Sequence, residues 1–315
     1  MTRFIIIVMQ VTALAAFAAG SPLRDFCSPF NGKDCNVIWE APTNFPASVK
    51  IFAVIPTKFS SVTVSNLLQI AELKPNQRKR VDQGGVFAGK DVQFFGDREE
   101  TRQLNLVPSQ GLIAISKDGT IAQIPKQMPV GVPDEKEALR LTLNILEKIG
   151  ISRSELATNS DGKIRLSVLE GSVLHKDKLS GQIVTNVTDR EIDLSRQIGG
   201  IPVFGTVSIS AKFGNEGKLA YLSVVWRAIK PDKDCPVPGA AEFISRIKSG
   251  RVLIRNEQAN ATDKKLTVTK ASLYYWENSG SEPQTYIYPF AVLEATTDVQ
   301  GDDSKIQLFV PFANE

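Results

Sequence analysis

The sequence predicts an α+β protein of repeated modules, each with one helix packed on an antiparallel sheet. Three observations carry this expectation. Residues Arg190 to Lys230 hold the longest run of period two: Val207, Ile209, Ala211 and Phe213 alternate with Ser208, Ser210 and Lys212. Gly214-Asn215-Glu216-Gly217 then reverses the chain, and Leu222, Val224 and Trp226 give the returning strand an apolar face. Gly199-Gly200 supplies an earlier reversal, which predicts a three-strand antiparallel meander. Second, Pro133 to Gly150 has the apolar spacing of a helix, with Glu135 and Glu137 in its first turn, where the dipole favours them. Third, a helical pattern followed by strand patterns occurs three times, starting near residues 60, 134 and 239.

Taken in order, residues 1–20 read as an export signal. Arg3 precedes an apolar run from Phe4, and the small residues Ala18 and Gly20 suit cleavage before Ser21. Residues 21–48 are rich in Pro, Asn and Gly and are expected to form an extended N-terminal arm. A first α+β module is expected over 49–130. It comprises a short strand at Val49 to Val54, a helix from Ser60 to Leu73 ended by Pro75, and a hairpin over 111–124 turning on Asp118-Gly119. The second module is expected over 131–231 and contains the best helix and the meander. The third, over 232–315, has a short helix at Ala240 to Lys248 and three strands, Leu266 to Trp276, Tyr286 to Thr296 and Lys305 to Phe312.

The charges nearly balance, 37 basic against 34 acidic, so no strong field points to nucleic acid or acidic lipid. No later stretch approaches a membrane span, and the protein is expected to be secreted. After cleavage the cysteines are Cys27, Cys35 and Cys235. In an oxidising compartment Cys27 and Cys35 are the natural bridge; Cys235 is then unpaired, or it pairs with one of them instead. Two sequons, at Asn186 and Asn260, mark a glycoprotein. The basic run Asn76 to Arg80 reads as a solvated turn rather than a processing site at Lys79-Arg80.

Histidine arithmetic limits the chemistry. The only histidine is His175, which excludes a zinc site of the H-E-x-x-H type. It has no nucleophile elbow or reactive-cysteine signature beside it, and no loop fits a phosphate or dinucleotide fingerprint. Asp298, Asp302 and Asp303 fit a hairpin turn better than a calcium loop. Carboxylate-only chemistry leaves no local motif and stays open. No metal or cofactor is expected, and the reading leans away from an enzyme.

The remaining candidate surface is aromatic: Tyr274, Tyr275, Trp276, Tyr286, Tyr288 and Phe290. Alternate members of a strand point to opposite faces, so one set is expected in the core and another, drawn from Tyr275, Tyr286 and Tyr288, is available to a partner.

The run Arg196 to Gly205 (RQIGGIPVFG), followed by a hairpin turning at Gly217, resembles the core of the propeptide domains of thermolysin- and fungalysin-type proteases. The helix from Asp134 to Gly150 is similar to that of the related PepSY modules, and Gly239 to Gly250 looks like a second one. The runs TKASLYYW and QTYIYPFAV resemble the ending of exported proteins with tandem PepSY-like modules. The resemblance implies a non-enzymatic binding protein that inhibits or chaperones an extracellular protease. The alternative is a cell-surface or carbohydrate-binding protein that uses the exposed aromatics of the C-terminal module.

Overall fold

The computed structural model describes residues 28–30, 32–42, 44–79, 91–99, 101–117, 128–176, 183–205, 207–254, 265–280, 282–297 and 305–312. Three strands come first, β1 (Ser28–Phe30), β2 (Asn36–Trp39) and β3 (Ser48–Ile55), followed by α1 (Ser61–Ala71). The Ser60 side chain accepts the Thr63 amide at the start of α1, and Leu67, Leu68 and Ala71 form its buried stripe. Then come β4 (Arg78–Lys79), β5 (Gln93–Gly96), β6 (Arg102–Val107), β7 (Leu112–Lys117) and α2 (Glu135–Lys148). Asp134 caps α2 through the Glu137 amide, as its position before the acidic first turn predicts.

The chain continues through β8 (Leu166–Lys176), β9 (Ile183–Leu194), β10 (Gln197–Ile198), β11 (Ile201–Gly205), β12 (Ile209–Phe213) and β13 (Leu219–Val225). It ends with β14 (Ala228–Pro236), α3 (Ala240–Lys248), β15 (Val252–Ile254), β16 (Lys265–Glu277), β17 (Tyr286–Thr297) and β18 (Lys305–Pro311).

Among the described residues the strands form two sheets. An eight-stranded sheet runs β4-β5-β6-β7-β13-β12-β9-β8. A ten-stranded sheet has the path β1-β15-β18-β17-β16-β11-β10, with β2 added to β16, β3 to β17, and β14 to β3. Helices α1 and α2 both pack on the eight-stranded sheet, where Leu67, Leu146, Ile115, Ile192, Phe213 and Leu222 share one core. Helix α3 packs on the ten-stranded sheet through Phe243 and Ile247.

This architecture corrects the expected repetition of one helix on one sheet. The protein is mostly β, and strands do not stay with the helix they follow or precede. β3, the first strand of the expected first module, pairs with β14 and β17 near the other end of the chain. Local alternation decides that a segment is a strand, but pairing is decided by which edges and faces are left to bury it, and that is not a local property.

The meander is also redrawn. Strands β9, β12 and β13 are antiparallel neighbours, as expected. Between β9 and β12, however, the chain leaves the sheet. Gly199 (φ 58°) and Gly200 (φ 82°) turn β10 into β11. β11 then lies parallel to β16, with Val203 to Gly205 opposite Tyr275 to Glu277. The alternation breaks at Ser208, which is fully buried. Its Oγ accepts the Arg196 amide. β7, the first strand of the expected 111–124 hairpin, lies between β6 and β13. Residues 118–127 lie outside the described residues.

Candidate functional site

The two sheets meet at a buried ionic knot that sequence reasoning missed. Arg227 and Glu277 are fully buried and Arg196 almost so. Arg227 stands where β13 passes into β14, Glu277 ends β16, and Arg196 opens the excursion to β11. Arg227 Nη1 donates to the Asn278 carbonyl (2.8 Å), and Nη2 donates to the carbonyls of Ser279 (2.7 Å) and Glu282 (2.9 Å). Arg196 Nη1 donates to the Arg227 carbonyl (2.8 Å), and its guanidinium lies 4.6 Å from the centre of the Trp226 ring. Glu277 meets Arg227 Nη1 at only 3.4 Å, and neither of its oxygens accepts a hydrogen bond among the described residues. Burial therefore pushes the Glu277 carboxyl up against the pull of Arg227 and Arg196. It pushes both guanidiniums down.

Close backbone contacts surround the knot. A side chain at Gly205 (φ 117°) would run into the Glu277 carbonyl, and one at Gly111 (φ 59°) into that of Trp226. The group is a structural joint, with its charges spent on carbonyls and on each other.

Beside it lies an aromatic cluster. Phe204 of β11 is within 6 Å of the rings of Tyr274, Trp276, Phe290 and Phe309. The V-F-G of the most distinctive sequence motif thus fixes the excursion onto β16. Tyr275 points the other way. It is 2% exposed, packs edge-on against Phe52, and donates its hydroxyl to the Lys50 carbonyl. Of the three expected partner-binding tyrosines, Tyr275 is therefore interior. Tyr286 and Tyr288 adjoin each other on one face of β17 (5.8 Å between rings), and Tyr288 is 41% exposed.

The face of the eight-stranded sheet turned away from α1 and α2 carries a second charged group. Asp189, Glu191 and Asp193 alternate along β9. Register places Glu191, Lys212 and Tyr221 in one row and Asp193, Ser210 and Ser223 in the next. Lys212 Nζ lies 3.1 Å from Glu191 and 3.6 Å from Asp189. Burial, with Glu191 alongside, pushes the Asp193 carboxyl up to about 6. The i, i+2 spacing of these acids was visible in the sequence; their partial burial was not.

Because the folded-state value lies above the ordinary 3.8, Asp193 favours folding below that value. Its contribution is lost as pH rises through about 6. Asp193→Asn should therefore flatten the change of melting temperature across that interval. An unchanged profile would show that Asp193 titrates normally.

The third feature is an open edge. β8 has 11 residues and, among the described residues, pairs only with β9. β12 pairs with β9 at Arg190 to Leu194, so, among the described residues, 172–176 and 183–187 continue as a two-stranded arm beyond the sheet. Leu169 (53% exposed), Leu174 (60%) and Ile183 (74%) leave this hairpin apolar and accessible. The other long edge, β14, is protected differently. Its Lys230, Pro231, Asp232, Lys233 and Asp234 are all exposed, a composition that discourages strand addition. The remaining edge strands β1, β2, β4 and β10 have two to four residues. Between Leu166 and Leu174, β8 has no proline and one charge, Glu170.

Asn186 lies on β9 opposite Val173, so a glycan there would rise from a face of the arm rather than from the β8 edge. The Thr188 hydroxyl of the same sequon donates to Asp189 Oδ2. His175 takes part in β8 opposite Val184. Cys35 and Cys235 are buried, and no disulfide joins them. Burial pushes the Cys235 thiol up. Cys27, Asn260, Arg80, Asp298, Asp302 and Asp303 lie outside the described residues. Among the described residues no cluster of three or more His, Cys, Asp or Glu side chains is arranged to hold a metal. No described helix is long and apolar enough to cross a membrane.

No family model matches the chain. No curated protein matches it either. Among solved structures it is similar to an uncharacterized protein from Eubacterium rectale, at 12% identity and a TM-score of 0.47, covering 89% of this chain and 90% of that one.

Proposed function

We propose that this protein is a binding protein that takes up an extended segment of a partner protein along β8. The observation that carries the reading is the contrast between the two long sheet edges. β14 is guarded by proline and charge, whereas β8 offers a run of backbone groups unpaired among the described residues and flanked by exposed leucines. An added strand supplies the missing hydrogen bonds, and its alternate side chains provide specificity. The likeness of RQIGGIPVFG to protease propeptides makes a secreted thermolysin-like protease the partner to test first.

Successive amides along a strand point to opposite edges, so one of Val173→Pro and Leu174→Pro removes an outward donor from β8 while the other breaks the β9 ladder. Inhibition of a thermolysin-like protease by micromolar protein, lost with little change in melting temperature in the variant whose amide points outward, is the expected result, while the variant that breaks the β9 ladder melts lower. Undiminished inhibition by both variants would place the interface elsewhere. No effect of the parent protein on protease activity would remove the protease as partner.

A further inference from the structure

The residues of β8 also specify what the added strand should look like, on the reading that β8 is the docking edge. Over Leu166 to Leu174 its side chains are apolar or small except for Glu170. Leu166 and Val168 pack against the core that α1 and α2 cover. Leu169 and Leu174 are exposed. Glu170 stands opposite Arg190 of β9 and uses one oxygen on it, accepting a 2.7 Å bond at Oε2 from Nη2. The Arg190 guanidinium is shared, since its Nε donates to the Pro133 carbonyl. Oε1 of Glu170 accepts no hydrogen bond among the described residues, and the side chain is 44% exposed.

A strand added to β8 places one residue directly opposite Glu170, on the same face of the sheet. An opposite charge there is favourable and a like charge is not. Glu170 is also the middle residue of the nine from Leu166 to Leu174. The fifth residue of a nine-residue segment in full register therefore meets it whichever way that segment runs.

We propose that the segment taken up on β8 is apolar along its length and carries a single lysine or arginine opposite Glu170. Cross-strand charge pairs contribute up to about 1 kcal/mol, which corresponds to a preference of roughly three- to fivefold.

The test uses two labelled nine-residue peptides, each alternating valine and alanine, with lysine or glutamate at the fifth place. Fluorescence anisotropy measures their binding to the full chain, to Glu170→Gln and to Glu170→Lys. The lysine peptide is expected to bind about three- to fivefold more tightly than the glutamate peptide. That preference should vanish in Glu170→Gln, which adds no repulsion toward Arg190, and reverse in Glu170→Lys. Equal binding of both peptides to the parent chain, or an unchanged preference in Glu170→Gln, overturns the charge rule but leaves strand addition standing. Absence of binding by either peptide to any of the three proteins overturns both.

Discussion

Glu277→Ala should destabilise the fold by about 3–5 kcal/mol, because it leaves the buried Arg227 and Arg196 guanidiniums without the one carboxylate that is fully buried with them. Removing one partner of a buried ion pair costs far more than the pair contributes, since the remaining charge stays desolvated. Arg227 cannot turn toward solvent, as three carbonyls between Asn278 and Glu282 hold its guanidinium. The denaturation midpoint in urea, read at constant slope, measures the loss. Arg227→Met with Glu277→Met should cost less than the sum of the two single changes, because each single change strands the other member of the pair and the double change does not. Strict additivity would show that the two side chains do not interact, despite their 3.4 Å approach.

Phe243→Ala should cost a similar amount, about 3–5 kcal/mol, by loss of a fully buried ring and the cavity it leaves. Phe243 is the inward residue of α3 that meets three other rings. It stacks on Trp39 of β2 at 5.4 Å, with Phe45 at 6.3 Å and Phe312 at 6.1 Å. The change should therefore weaken the hold of the N-terminal strand β2 as well as that of the helix. Hydrogen exchange should show lost protection at both α3 and β2. Loss confined to α3 would mean that β2 is held by its parallel pairing with β16 alone.

These two sites show what the sequence made legible and what it did not. Helix α3 was readable to its ends, because Phe243, Ile244 and Ile247 follow helical spacing between Gly239 and Gly250. Helices α1 and α2 were readable for the same reason, with their caps at Ser60 and Asp134. That Trp39 would stack on Phe243 was not readable, since residues 21–48 have no apolar period and β2 joins the sheet through β16, far along the chain.

Arg196, Arg227 and Glu277 look like ordinary surface charges in sequence. Only the crossing of three separate segments removes them from water. Tyr275 and Tyr288 show the same limit: alternation says that neighbours on a strand face opposite ways, but not which face the rest of the chain will cover. The β8 edge fared differently. The absence of proline from Leu166 to Leu174 is legible in the sequence, whereas the lack of a second neighbour among the described residues followed only from the full order of strands.

That order also bears on how the molecule is made. Every strand of the eight-stranded sheet lies between Arg78 and Val225, so this half can close while the ribosome is still adding the last quarter of the chain. The ten-stranded sheet draws β1, β2 and β3 from near one end and β15 to β18 from the other. Its earliest strands emerge first and find their neighbours last. During that interval Ile51, Phe52 and Val54 are apolar residues whose partner strands β14 and β17 have yet to be made.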